Sequence, residues 1–242
     1  MLNFTAQFQD HLVDYAREAK RLATTLVAFN YRGVGASTGQ PANLQQLVTD
    51  GIAEVQRLLD EMRVQSTHII LDGISLGGAV ATLVARHFHQ KGLPINLWND
   101  RSLSTLSKAA TSMIAPEIPG LLGTMSKRAV EGSVSSVLTP SGWDANVAEA
   151  YRAIPAMYKG YMVVAKLSAH SAGDGIIGHR ASLHRAVIRE EKQTGIKTGH
   201  KVLSRGLFGG HNEPRRNLIS KRDHSVNGQI LFDNFVRSHQ PH

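Results

Sequence analysis

Thr67-His68-Ile69-Ile70-Leu71-Asp72-Gly73-Ile74-Ser75-Leu76-Gly77-Gly78-Ala79 is the stretch whose reading decides the fold. An apolar run with a β-branched pair, Thr67 to Leu71, leads into a pentapeptide with a glycine at each end and a serine in the middle, Gly73 to Gly77. An apolar run of helical character, Gly78 to Phe88, follows it. A G-x-S-x-G turn needs this context, because it presents the serine at a sharp strand-to-helix junction with glycines where side chains would block the turn. Alone, the pentapeptide also fits a plain glycine turn or a helix cap. The flanks favour an exposed, nucleophilic Ser75.

Upstream, Phe8 to Thr24 carries Phe8, Leu12, Val13, Tyr15, Ala16, Leu22 and Ala23 at positions that predict a helix packed along one face. Leu26 to Phe29 reads as a short buried strand, ending in the glycine-rich loop Asn30 to Gly39. Asn43 is the expected N-cap of a helix with Leu44, Leu47, Val48, Ile52, Val55, Leu58 and Leu59 at helical spacing. Downstream, Pro94 to Leu97 and Met162 to Leu167 read as further strands. Strands alternating with helices predict an α/β fold, a mostly parallel sheet covered by helices on both faces. Residues 103–150 are less regular, with Pro116, Pro119 and Pro140, and fit either a helical cap over the sheet's C-terminal edge or an ordinary helical crossover.

With 242 residues and 42% hydrophobic content, residues 1–242 are expected to form a single domain around one sizeable core. The absence of cysteine excludes disulfides and thiol chemistry and fits a reducing compartment. Met1 to Gln9 lacks the pattern of a cleavable signal, and no run of about 18 apolar residues occurs. The expectation is a soluble, cytoplasmic chain. The net charge of +8 comes entirely from residues 151–242, which hold 15 Lys and Arg against 6 Asp and Glu, compared with 12 against 13 before them. Such an excess can attract an anionic membrane surface or acidic substrate, or can form a solvated face. Nucleic acid is disfavoured, because the charges are dispersed and lack interleaved aromatics.

The loop Gly33-x-Gly35 after a strand raises a dinucleotide site as a rival. The third glycine of that fingerprint is misplaced, and Gly39-Gln40-Pro41 defers the helix whose N-terminus would face a pyrophosphate. No metal is expected: there is no H-E-x-x-H, and His179 and His184 are five apart, off one helical face. Nor is a cofactor expected.

A serine hydroxyl is a weak nucleophile and needs a base, usually histidine, oriented by a carboxylate. In chain order after Ser75, Asp174 lies in the loop Ala169 to Ile177 beyond a predicted strand, with Asp144 in Ser141-Gly142-Trp143-Asp144 as the reserve. His211, in the glycine loop Leu207 to Pro214 ahead of the helical run Gln229 to Val236, is the favoured base. His224 competes, and an aspartate such as Asp174 can also be a simple turn residue.

Phe29-Asn30-Tyr31-Arg32-Gly33-Val34-Gly35-Ala36-Ser37, the Gly73 to Gly77 turn, Gly173-Asp174-Gly175-Ile176-Ile177 and Gly210-His211-Asn212 together resemble the α/β-hydrolase superfamily. Asn99-Asp100-Arg101-Ser102 is similar to the effector-type hydrolases of intracellular bacteria, the Legionella SidB kind, which would add delivery into a host cell. The resemblance implies Ser75 as nucleophile, His211 as base, Asp174 as its orienter, the Leu76 amide as half of an oxyanion hole, and a small-molecule ester or lipid substrate. Arg32 is expected to hold loops together through a carboxylate. The resemblance also implies several strands and an oxyanion loop ahead of the helix near Phe8, whereas Met1 falls in or just after the place of that loop. The N-terminal strands therefore look missing, a sheet edge is left open, and amides of Met1 to Phe4 are the candidates for the second oxyanion donor. Removing one such donor costs about 2.7–4 kcal/mol. A shortened hydrolase fold that binds without turnover is the alternative.

Overall fold

A computed structural model describes residues 1–4, 8–114, 120–165, 173–204 and 210–240. Among them, seven strands form one sheet in the order β2-β1-β3-β4-β5-β6-β7. These are β1 (Leu2–Phe4), β2 (Val27–Ala28), β3 (Ile70–Ile74), β4 (Asn96–Asp100), β5 (Lys159–Ala165), β6 (Gly199–Leu203) and β7 (Ile219–Ser220). All neighbours are parallel except β6 and β7. The helices are α1 (Leu12–Leu22), α2 (Leu44–Asp60), α3 (Leu76–Gln90), α4 (Leu106–Ile114), α5 (Gly120–Leu138), α6 (Val147–Ala153), α7 (Leu183–Thr194) and α8 (Gly228–Ser238).

Successive strand residues point to opposite faces, so the two cores separate by parity. Leu71, Leu97, Tyr161 and Val163 join Val55 of α2, Val84 of α3, Tyr151 of α6 and Val187 of α7. Ile70, Trp98, Met162, Val164 and Val202 join Leu22 of α1 and Phe232 and Val236 of α8 on the other side. Helices thus cover both faces of a mostly parallel sheet, as predicted. Continuous burial of β3 and β4 is what this arrangement demands. None of the described helices is long and apolar enough to cross a membrane.

Several local expectations change. β3 starts at Ile70 because Ser66–His68 forms a 3₁₀ turn, and β4 runs on to Asp100, which puts Asn99 and Asp100 inside the sheet. β5 begins at Lys159, while Leu167 lies outside the described residues. The segment expected as a buried strand, Leu26 to Phe29, forms only the two-residue, half-buried β2 at the sheet edge. In α1 only Leu22 is buried, and Leu12 and Val13 are 53% and 65% exposed. Polar links dock that helix on α8 instead: Arg21 pairs with Asp233, and Gln229 donates to Glu18. Asn43 caps α2 as expected, accepting from the Gln46 amide at 3.0 Å.

Residues 103–150 divide between the two readings. The helix α6 is a crossover helix packed on α3 through Val147, Ala148, Ala150 and Tyr151. The helix α4, with α5 against it, instead abuts the loop after β5: Leu106 and Ala109 pack with Ile176, Ile177 and Ala181.

Candidate active site

In parallel strands all C-terminal ends lie at one edge, and the loops after β3, β4, β5 and β6 converge there. The first of them is the turn at Ser75. Its φ of 55° and ψ of −121° lie in a sparsely populated region that costs on the order of 1–3 kcal/mol, and it is the N-cap of α3. Neighbouring contacts hold it there. The Ser75 amide donates to the Asp100 carbonyl at 2.9 Å. A Cβ on Gly73 would come within 2.5 Å of the Gly77 carbonyl oxygen, and one on Gly78 within 2.9 Å of the Ser102 Cβ. Close packing of strand, turn and helix therefore requires both glycines. Leu76 is the first residue of α3, so its amide has no intrahelical partner.

Asp174 and His211 meet across the loops after β5 and β6. The His211 Nδ1 lies 2.9 and 2.8 Å from the two carboxylate oxygens, and both side chains are almost wholly buried. The Asp174 Oδ1 also accepts the amides of Ile176 and Ile177 at 2.9 and 2.7 Å, which fixes the carboxylate whichever way its partner turns. The Gly210 amide donates to the Gly173 carbonyl at 3.1 Å and stitches the two loops together. With Nδ1 engaged, Nε2 is the ring nitrogen left for a substrate or hydroxyl. No hydrogen bond joins Ser75 to His211 among the described residues. Contacts of this kind are often long in the unliganded state and tighten when substrate is bound.

The competitors are placed elsewhere. The Asp144 carboxylate accepts the Ser107 amide at 3.1 Å near the start of α4. His224 is exposed on the turn after β7, beside Asp223. His184 is buried against the Tyr161 hydroxyl at 2.7 Å, and burial, reinforced by Lys201, pushes its pKa down to about 4. Among the described residues no cluster of His, Asp or Glu could hold a metal ion. Arg32 clamps the glycine loop to α2 through Asp50, with its closest contact at 2.5 Å.

Met1 to Phe4, the candidates for the second oxyanion donor, include the short edge-adjacent strand β1. Leu2 and Asn3 pair with β2 on one side and β3 on the other, which commits this segment to the sheet ladder. Sequence reading places no strand here. A three-residue strand has too little alternation to be seen in advance. Residues 5–7, which follow it, lie outside the described residues.

Sequence reasoning also missed a buried charge cluster behind the site. Asp100 is fully buried between two guanidiniums: Arg101 contacts it through Nε and Nη2 at 2.8 and 3.0 Å, and Arg215 through Nε at 2.8 Å. Arg215 also donates to Asp72 at 2.6 Å. Burial alone would raise the Asp100 pKa, but Arg101 and Arg215 outweigh it and hold the carboxyl below the ordinary carboxylate range. The available signal was Asn99-Asp100-Arg101-Ser102, two opposite charges at the end of an apolar strand.

The fold is of the α/β-hydrolase type. No family model matches the chain. An alpha-beta hydrolase from Vibrio vulnificus superposes with a TM-score of 0.56 at 19% identity, over 87% of this chain and 67% of that one. A carboxyl esterase from the fungus Tuber melanosporum gives 0.55 at 13% identity, over 99% and 77%. In sequence, 111 residues are 32% identical to the multifunctional-autoprocessing repeats-in-toxin of Vibrio cholerae, a match over 46% of this chain. The chain spans about 2% of the length of that protein.

Proposed function

We propose that the protein is a serine hydrolase of esterase or lipase type, acting on an ester or other acyl substrate through Ser75, His211 and Asp174. The observation that carries this reading is the buried His211–Asp174 pair, at 2.8 Å, on the sheet edge where Ser75 sits in its strained turn. Asp174 holds the imidazole with Nδ1 protonated and stabilises the imidazolium that forms. The Ser75 Oγ attacks the substrate carbonyl carbon while the His211 Nε2 takes its proton. The carbonyl π electrons move onto oxygen, and the Leu76 amide donates to that oxyanion. Collapse breaks the bond to the leaving group, which takes the proton from Nε2, and an acyl-enzyme remains. Water, deprotonated by Nε2, then attacks the acyl carbon; the acyl–Oγ bond breaks, Nε2 returns its proton to the Ser75 Oγ, and the acid leaves.

The superposed esterases support ester substrates, and the partial match to a multifunctional toxin, with Asn99 to Ser102, supports an effector setting that includes delivery into a host cell. In that setting the protein works in a cytoplasm, and the basic last third would suit a phospholipid substrate at an anionic membrane surface. A panel of p-nitrophenyl esters of increasing acyl length tests the reading. A burst of p-nitrophenol equal to the enzyme concentration, followed by slower turnover, is expected for at least one chain length. A folded chain that releases none overturns it in favour of a fold that binds without turnover.

A further inference from the structure

Arg101 is a buried cation whose guanidinium does more than neutralise Asp100. Its Nη1 donates to three backbone carbonyls of the histidine loop: Gly210 at 3.0 Å, His211 at 2.7 Å and Glu213 at 2.7 Å. The backbone places it there, since Arg101 adopts a left-handed φ of 47° directly after β4 and its amide donates to the Met162 carbonyl of β5 at 2.8 Å. The carbonyl of the preceding residue, Asp100, accepts the Ser75 amide. Two consecutive residues therefore hold the serine turn at one end and the histidine loop at the other.

We propose that Arg101 is a positioning residue for the hydrolytic step: its guanidinium fixes the backbone of His211 relative to Ser75, as Asp174 fixes the ring. This rests on the hydrolase reading above. A planar guanidinium serves both roles at once, with Nε and Nη2 on the carboxylate and Nη1 turned to the loop. A lysine ammonium is a point donor with three protons and cannot span the same acceptors. Within the loop itself the Glu213 amide reaches the Gly210 carbonyl only at 3.4 Å. Without Arg101 the carbonyls of His211 and Glu213 lose a charged donor in a buried place, and His211 is free to shift. A misplacement of about 1 Å can cost about 10²-fold in rate.

The test measures fluorophosphonate labelling of Ser75 in wild type, Arg101→Lys and Arg57→Lys, each shown folded by circular dichroism. Proton NMR alongside follows the downfield Nδ1–H of the His211–Asp174 pair. Arg101→Lys is expected to label about 10²-fold more slowly and to lose or broaden the downfield proton. Arg57→Lys alters an exposed ion pair with Glu54 inside α2, so it is expected to label within a few-fold of wild type. Wild-type rate and an intact downfield proton in Arg101→Lys would overturn the proposal, as would an equal loss in Arg57→Lys. Should Arg101→Lys not fold, the wild type labelled with ¹⁵N-arginine decides. The Arg101 guanidinium signals are expected to shift when Ser75 is modified, and unchanged signals overturn the proposal. A wild-type chain that does not label at all overturns the hydrolase reading, and this proposal with it.

Discussion

The C-terminal edge of the sheet and the α1–β2 border are built by different means. At the edge, positions are set by contacts that admit few substitutions: a strained serine, glycines with no room for a methyl group, a carboxylate holding a histidine and two arginines sharing one aspartate. At the border, a two-residue strand ends the sheet and the first helix leaves Leu12 and Val13 open to solvent. Specific contacts hold the first region and general ones the second, so equal changes in the two should have very unequal effects.

The largest difference is expected at Asp174. Asp174→Asn keeps the size of the side chain but removes the charge that fixes the Nδ1–H tautomer of His211, and Ser75 labelling by a fluorophosphonate should slow by about 10⁴-fold with the fold retained. A loss under tenfold would break the contrast at its strongest point. Next comes Gly73→Ala, whose methyl would sit 2.5 Å from the Gly77 carbonyl oxygen. Forced repacking of this kind costs about 1–3 kcal/mol, to be read from urea denaturation.

A smaller, pH-dependent effect is expected at His184, which is buried against Tyr161 and lies outside the proposed chemistry. Its pKa lies at about 4 in the folded protein against an ordinary 6.5. The unfolded chain takes up this proton first, so stability from this residue is lost as pH falls from about 6.5 to about 4. In His184→Gln the melting temperature should decline less over that window, whereas an identical decline would place the acid sensitivity elsewhere. The smallest effect belongs to the border: Leu12→Gln with Val13→Gln should change stability by no more than about 0.5 kcal/mol. A larger change would show that this face is covered in solution and would sharpen the comparison into a question about what covers it.

The same contrast explains what could be read from the chain alone. The elbow was legible because a strand, two indispensable glycines and a helix fall together within a few residues. Asp174 and His211 were legible as candidates from chain order and loop position, but only the folded chain shows that they meet and that Asp144 caps another segment instead. The helix α1 misled because its apolar spacing suggested a packed face, while charged residues on the same helix do the docking. The strand β1 was invisible because three residues carry no period. Arg215 could not be foreseen at Asp100, since it is 115 residues away in sequence and nothing local marks it as buried.

The central claim is that Ser75 is an activated nucleophile. Mass mapping of the purified chain after reaction with a fluorophosphonate, beside Ser75→Ala, tests it most directly. The account predicts one adduct per chain, located on Ser75 and absent from the variant. A folded chain with no adduct, or an adduct on another residue that persists in Ser75→Ala, would contradict it.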